Sequence, residues 1–183
     1  MTIDVGTGDG RAVLAAAARD PRTLVLGVDA LAASMVESSR RAAGPPRKGG
    51  LPNAAFVVAA AESMPVELGG IAQLVTVQLP WGSLLRGCLG ADTAAAGGIA
   101  ALVAPGGRLE LLLAPAERDG LSRLPVEAAA VAEAAASAFE AFGLRLVEGR
   151  AATADELRRS GSTWAKRLRR SAVLVRFERG TRR

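Results

Sequence analysis

The stretch of sequence that decides the fold is Ile3-Asp4-Val5-Gly6-Thr7-Gly8-Asp9-Gly10. An apolar run ends in three alternating glycines, and residues 10–20 then carry the pattern of a helix. Glycines at a strand-to-helix turn permit a tight bend and let backbone N–H groups approach a ligand at the helix N-terminus. The chain is therefore predicted to open with a strand, a ligand-binding loop and a helix.

Outward from this loop, apolar runs that predict strands alternate with stretches that predict helices. The predicted strands are residues 2–5, 23–29, 54–58, 71–79, 108–113, 143–148 and 171–178. The predicted helices are residues 10–20, 31–43, 83–103 with a break at Gly97-Gly98, 125–142 and 153–160. Such alternation implies an α/β fold with a mostly parallel sheet covered on both faces. We expect a Rossmann-like fold with a seven-stranded sheet, in one domain over residues 1–183.

Composition argues against several classes of protein. The chain has 183 residues, half of them apolar, which is enough for one well-packed core. No apolar run approaches the roughly 20 residues that span a bilayer, and no apolar signal segment precedes the glycine loop, so a cytoplasmic protein without a membrane partner is expected. Cys88 is the single cysteine and histidine is absent, which argues against a disulfide framework, a metal site and histidine acid/base catalysis.

Acidic residues around the glycine loop indicate the charge of its ligand. A dinucleotide fingerprint has the spacing G-x-G-x-x-G and holds an anionic pyrophosphate, whereas this loop is G-x-G-x-G and carries Asp4 and Asp9. These carboxylates would repel pyrophosphate but suit the amino group and sulfonium of S-adenosylmethionine. Asp29, at the end of the second strand, is placed to bind ribose hydroxyls, and Ala61-Glu62 to lie over the adenine. Each acid taken singly could instead cap a helix or face solvent.

Two tryptophans mark the predicted substrate side. Pro80-Trp81 follows the fourth strand, at the carboxyl edge of the sheet, where open α/β folds bind ligands. Trp164 lies in the basic stretch 158–170, where its ring could stack on an extruded base or simply fill an apolar gap. Methyl transfer to a ring nitrogen with a free lone pair needs no base, which fits the absence of histidine and tyrosine.

The net charge of +5 is concentrated toward residues 158–183. A basic segment of this kind can contact phosphates, and arginine on a solvated surface explains it equally well. Charge alone therefore leaves nucleic-acid binding open.

Several stretches together resemble a known family. They are residues 4–10 (DVGTGDG), 48–53 (KGGLPN), 61–62 (AE), 79–87 (LPWGSLLRG), 162–164 (STW) and 166–168 (KRL). Over nearly its whole length the chain resembles the aminoglycoside-resistance 16S rRNA (adenine-N1) methyltransferases of the kanamycin-apramycin type. The glycine loop is shared by many methyltransferases, whereas the proline-tryptophan and threonine-tryptophan stretches are more particular.

The resemblance implies a class I, S-adenosylmethionine-dependent enzyme that methylates N1 of the decoding-site adenine of 16S rRNA in the 30S subunit and gives aminoglycoside resistance. It implies that Trp81 and Trp164 sandwich the flipped adenine, with Pro80 behind the base. The implied cofactor-binding residues are Asp4, Gly6, Thr7, Gly8, Asp29, Ala30, Ala61, Glu62, Leu79, Pro80, Ser83, Leu84 and Thr163. The implied RNA-binding residues are Lys48, Arg86, Lys166, Arg167, Arg169 and Arg170. A monomer without a metal is expected.

Members of that family usually begin with a β-hairpin that helps to form the rRNA-facing surface. This sequence opens on the first predicted strand, so the hairpin is expected to be missing. Two other functions fit the same fold: a methyltransferase for a small molecule held between the tryptophans, and a non-catalytic protein that binds S-adenosylmethionine or RNA. A nicotinamide-dependent dehydrogenase fits the glycine spacing and the flanking acids poorly.

Overall fold

In the computed structural model, seven strands form one sheet, and the structure describes residues 1–115, 127–162, 165 and 171–181. The strands are β1 (Thr2–Val5), β2 (Val25–Asp29), β3 (Ala54–Val58), β4 (Ala72–Gln78), β5 (Val103–Leu113), β6 (Leu144–Ala151) and β7 (Val173–Arg179). The described α-helices are α1 (Arg11–Arg19), α2 (Ala32–Ala42), α3 (Gly82–Cys88), α4 (Thr93–Leu102), α5 (Ala128–Glu140) and α6 (Ala154–Arg159). Short 3₁₀ turns lie at Pro46–Lys48, Ala61–Ser63 and Val66–Leu68.

The order of the strands places a crevice beside β1. The order is β3-β2-β1-β4-β5-β7-β6, with β1 to β5 parallel and β7 antiparallel to both of its neighbours. The chain runs from β1 outward to β3 and then returns to the other side of β1 at β4. In open α/β sheets, ligands bind where the direction of winding changes. The predicted mostly parallel, Rossmann-like sheet is confirmed, and each predicted strand has a counterpart.

The two faces of the sheet differ in polarity. On one face, alternate residues of β5 such as Leu109 and Leu111 are fully buried in the main core, to which α3, α4 and α5 contribute. On the other face, α1 buries Val13 and Ala17 against β2. Farther along this second face, polar residues of β4, β5 and β7 line a cleft of about 410 Å³ between α1 and α6. None of the described helices is long and apolar enough to cross a membrane.

The predicted helix break at Gly97-Gly98 is wrong. The break lies at residues 89–92, and α4 begins where the Asp92 side chain accepts a hydrogen bond from the Ala95 N–H at 3.1 Å. Gly98 sits inside α4, where a Cβ would lie 1.8 Å from the carbonyl oxygen of Ala61. This glycine therefore allows α4 to approach the Ala61–Ser63 turn closely, and it does not end the helix.

The fifth and sixth strands are longer than predicted. β5 starts at Val103, so the Pro105-Gly106-Gly107 turn expected before the strand lies within it. The pairing with β4 shifts register between Ala72 and Leu74, which accommodates these residues as an irregularity in the strand. β6 continues to Ala151 because β7 pairs with it over that whole length.

Candidate functional site

A cleft of about 740 Å³ opens at the carboxyl edge of β1, β2 and β4. It brings together the described residues that the sequence predicted for the cofactor, and the predicted substrate residues Pro80 and Trp81. The residues concerned are Asp4, Gly6, Thr7, Gly8, Asp29, Ala30, Ala61, Glu62, Leu79, Pro80, Trp81, Ser83 and Leu84. They come from four separate stretches of the chain, so the fold alone makes them neighbours.

The glycine loop crosses the end of β2. The N–H groups of Gly6 and Thr7 both donate to the carbonyl oxygen of Val28, at 2.8 and 3.1 Å. Gly6 and Gly8 have φ angles of +72° and +56°, in the left-handed region that side chains disfavour. A Cβ on Gly6 would also lie 2.3 Å from the Leu84 side chain, whereas the space next to Gly8 is open. The loop therefore presents bare backbone to the cleft.

The Asp29 carboxylate connects this loop with the start of α2. Its Oδ2 atom accepts a hydrogen bond from the Gly8 N–H at 2.8 Å, and its Oδ1 atom accepts one from the Leu31 N–H, also at 2.8 Å. A carboxylate oxygen has two lone pairs, so each oxygen can still accept a hydrogen bond from a ligand. The carboxylate is thus already fixed in place to receive a pair of hydroxyl groups.

Asp4 is a buried carboxyl group at the floor of the cleft. Its Oδ1 atom accepts hydrogen bonds from the Thr76 hydroxyl at 2.6 Å and from the Gln78 amide at 3.3 Å. Burial raises the pKa of the Asp4 carboxyl above its usual range, and these two hydrogen bonds oppose the shift. A cation placed beside Asp4 would favour the charged form and reverse the effect of burial.

Thr7 supplies a test of whether a polar ligand fits the cleft. Its hydroxyl lies near Asp4 and favours the charged form of that carboxyl, yet no hydrogen bond of ordinary geometry satisfies the buried Oγ1 atom among the described residues. Buried polar atoms are normally hydrogen-bonded, and one left without a partner needs an explanation. A ligand with polar groups at the glycine loop would provide that partner.

The lining of the cleft is acidic. Among its described residues, four carry carboxyl groups: Asp4, Asp9, Asp29 and Glu62. The described lining contains no lysine or arginine. Asp9 is partly neutralised by Arg11, whose Nε atom lies 3.5 Å from it. This charge favours a cationic ligand and disfavours a pyrophosphate. The described residues contain no group of three or more side chains able to hold a metal ion.

A strained turn after β4 forms the part of the cleft that contains Pro80 and Trp81. Leu79 has a φ of +52°, the one positive value outside glycine in the described part of the chain. Its N–H donates to the Leu112 carbonyl oxygen at 2.7 Å, and its buried side chain packs with Leu112 and Ala172. Two residues later, Trp81 is 74% exposed. A braced turn that presents an indole ring to solvent is a feature expected of a binding site.

Other predicted residues lie elsewhere. Lys48, in the turn after α2, and Arg86, in α3, are exposed and do not line the cleft. The remaining predicted residues, Thr163, Trp164, Lys166, Arg167, Arg169 and Arg170, lie outside the described residues.

Sequence reasoning did not assign several residues that line the cleft to the site, among them Leu31, Ser34, Gln78 and Ser162. Leu31, two residues after Asp29, is 62% exposed in the structure, and a large apolar residue so close to the end of a predicted strand was an available signal. Gln78 could not be found in this way, because its contact with Asp4 depends on the pairing of β4 with β1.

Comparison with known proteins agrees with this geometry. Residues 1–178 match the family described as NpmA: 16S rRNA (adenine(1408)-N(1))-methyltransferase. A 16S rRNA (adenine(1408)-N(1))-methyltransferase from Streptoalloteichus tenebrarius is 44% identical over 106 residues, which are 58% of this chain and 48% of that protein. The match therefore spans about half of that relative's length.

Two further relatives match nearly the whole chain. The 16S rRNA (adenine(1408)-N(1))-methyltransferase of Streptoalloteichus hindustanus is 35% identical over 177 residues, covering 93% of this chain and 81% of that protein. A variant of the enzyme from Catenulisporales acidiphilia, crystallised with cosubstrate SAM, superimposes with a TM-score of 0.88 at 32% identity, covering 100% of this chain and 86% of the other. The chain belongs to the 16S rRNA (adenine(1408)-N(1))-methyltransferase family.

Proposed function

We propose that this protein is a class I methyltransferase that moves a methyl group from S-adenosylmethionine to N1 of adenine 1408 in 16S rRNA. The substrate is the assembled 30S subunit, on which the protein acts as a monomer in the cytoplasm, and the product gives aminoglycoside resistance. The observation that carries the proposal is an acidic cleft that ends at the exposed ring of Trp81. Membership of the family supports adenine 1408 as the base that this ring would receive.

The cofactor would be held by residues of the acidic cleft. Asp29 would accept hydrogen bonds from the ribose hydroxyls, since its carboxylate is already oriented by Gly8 and Leu31. Asp4 and the Thr7 hydroxyl would face the cationic amino acid end, and Glu62 would lie at the adenine. When bound, S-adenosylmethionine supplies an electrophilic methyl group on a sulfonium.

On the substrate side, the protein needs to orient the adenine and does not need to supply a general base. The lone pair of adenine N1 forms the new N–C bond as the C–S bond breaks, and the electron pair of that bond leaves with sulfur. No proton is lost in this step, so the absence of histidine and tyrosine is no obstacle. A base inside a helix must first leave its stack, and Trp81 offers the extruded base an aromatic face.

The charges outside the cleft suit a phosphate backbone. Arg40, Arg41, Arg47 and Lys48 are exposed around the end of α2, and Arg86 is exposed on α3. Lysine and arginine that contact phosphates supply affinity that depends on salt and not on sequence. Acidic groups would thus face the cofactor while basic groups face the RNA.

The proposal is tested by transfer of radiolabelled methyl groups from S-adenosylmethionine to purified 30S subunits and to naked 16S rRNA. We expect label in the 30S subunits and a primer-extension stop at adenine 1408, with far less label in naked rRNA because the folded subunit forms the docking surface. A protein that binds S-adenosylmethionine but labels neither substrate would contradict the proposal and favour a non-catalytic relative.

Replacement of Trp81 by alanine should impair methylation without weakening the binding of S-adenosylmethionine. Stacking of a base on an aromatic ring contributes about 1–3 kcal/mol, so kcat/KM for 30S subunits should fall roughly 5- to 150-fold. Trp81→Phe should retain part of the activity. Val66→Ala is a matched control, because Val66 is 86% exposed and lies outside the cleft lining. Loss of S-adenosylmethionine binding in Trp81→Ala would instead make this residue a structural part of the cleft.

The affinity for S-adenosylmethionine should fall as the pH is lowered, and the fall should begin at a higher pH than protonation of an ordinary aspartate would cause. Burial raises the pKa of Asp4, so as the pH falls this carboxyl is neutralised earlier than an ordinary aspartate and no longer attracts a cation. Isothermal titration calorimetry should show weaker binding by Asp4→Asn and a smaller dependence on pH. Glu67→Gln, an exposed substitution outside the cleft lining, should behave as the wild type. Equal pH dependence in Asp4→Asn and the wild type would rule out this role for Asp4.

A further inference from the structure

Helix α6 lies on the polar face of the sheet without burying any of its residues. On the side toward α1, the cleft of about 410 Å³ is lined by Glu156, Arg159 and Ser160 of this region. Helices in proteins are usually held by burial of an apolar face. The position of α6 must therefore depend to a large extent on polar contacts.

Five charged side chains supply those contacts and tie α6 to three strands. Arg150 on β6 donates to Glu156 through Nη1 at 2.9 Å and Nη2 at 2.7 Å, and to Glu148 through Nε at 2.7 Å. Arg176 on β7 donates to Glu110 on β5 at 2.8 Å and to Glu148, and its Nη2 atom lies 3.6 Å from Glu156. We name this set the α6 network.

Glu156 is the member of the α6 network that belongs to the helix itself. Its side chain is 13% exposed and also accepts hydrogen bonds from the Thr153 N–H and hydroxyl, at 2.8 and 2.9 Å. Hydrogen bonds from Arg150 and Thr153 hold the pKa of Glu156 far below its usual range, so the residue remains charged near neutral pH. Glu156 thus caps α6 and attaches it to the sheet at the same point.

From α6, direct contacts lead to two residues that line the functional cleft, Leu79 and Ser162. Leu157 packs on the apolar cluster of Leu79, Leu112 and Ala172, and Leu79 begins the turn that presents Trp81. In the other direction, the Ser160 hydroxyl accepts a hydrogen bond from the Ser162 N–H at 3.2 Å, and Ser162 lines the cofactor cleft.

We propose that Glu156 is a positioning residue, which fixes α6 through the α6 network so that the helix holds the Leu79–Trp81 turn and Ser162 in their places. Glu156 does not line the cofactor cleft, so it acts through these neighbours. The expected effect on catalysis rests on the proposed methyl transfer, whereas the effect on the mobility of the turn does not.

The test compares Glu156→Gln with Glu178→Gln. Glutamine keeps the size of the side chain but removes the charge that holds Arg150. Glu178 is a matched control because it pairs with Arg145 at 3.1 Å across β6 and β7, at an exposed position away from α6. Measurements are hydrogen exchange of peptides that cover residues 79–82 and 157–162, kcat and KM on 30S subunits, the Kd for S-adenosylmethionine, and the Tm.

For Glu156→Gln we expect faster exchange in both peptides and a kcat about tenfold lower, with an unchanged Kd for the cofactor, because small misplacements of positioning groups reduce rates strongly. Glu178→Gln should change none of these. Exchange equal to that of the wild type in both peptides would overturn the inference, as would a lower Tm with unchanged exchange and kcat. If the wild-type protein methylates no 30S subunits, the proposed function fails, and the exchange comparison still decides the role of Glu156.

Discussion

The hydrogen bonds of the Asp29 carboxylate to the N–H groups of Gly8 and Leu31 hold the functional cleft in shape. They join the loop after β1 to the chain after β2, at the edge of the sheet where the direction of winding changes. Without them, the glycine loop would retain the contacts of Gly6 and Thr7 with Val28 but lose its connection to the start of α2. The same carboxylate therefore shapes the cleft and would face the proposed cofactor.

Charge is separated across the described part of the protein in a way that explains how it could bind two unlike partners. The chain carries a net charge of +5, yet the described lining of the cleft has four carboxylates and no basic residue. Around the end of α2 and on α3, the exposed basic residues are Arg40, Arg41, Arg47, Lys48 and Arg86. A surface of uniform charge would attract one of a cationic cofactor and a polyanionic RNA and repel the other, whereas this separation offers each a region of opposite charge.

Local signals allowed much of the fold and cleft to be predicted. The glycine loop, Asp29, Ala61-Glu62 and Pro80-Trp81 all lie at the end of a strand or within a few residues after it, and the ends of parallel strands meet at one edge of the sheet. Non-local contacts could not be predicted in this way. The contact of Gln78 with Asp4 depends on strand register, and the α6 network combines side chains from three strands and a helix. The helix break predicted at Gly97-Gly98 was wrong because Gly98 allows close packing against Ala61 and does not end a helix.

The most direct test of the account is a crystal structure of the protein with S-adenosylmethionine. The account predicts that the ligand occupies the acidic cleft, with its ribose hydroxyls hydrogen-bonded to Asp29, its amino acid end next to Asp4 and Thr7, and its methyl group directed toward the Pro80-Trp81 turn. A ligand bound outside this cleft, or one whose ribose makes no contact with Asp29, would contradict it.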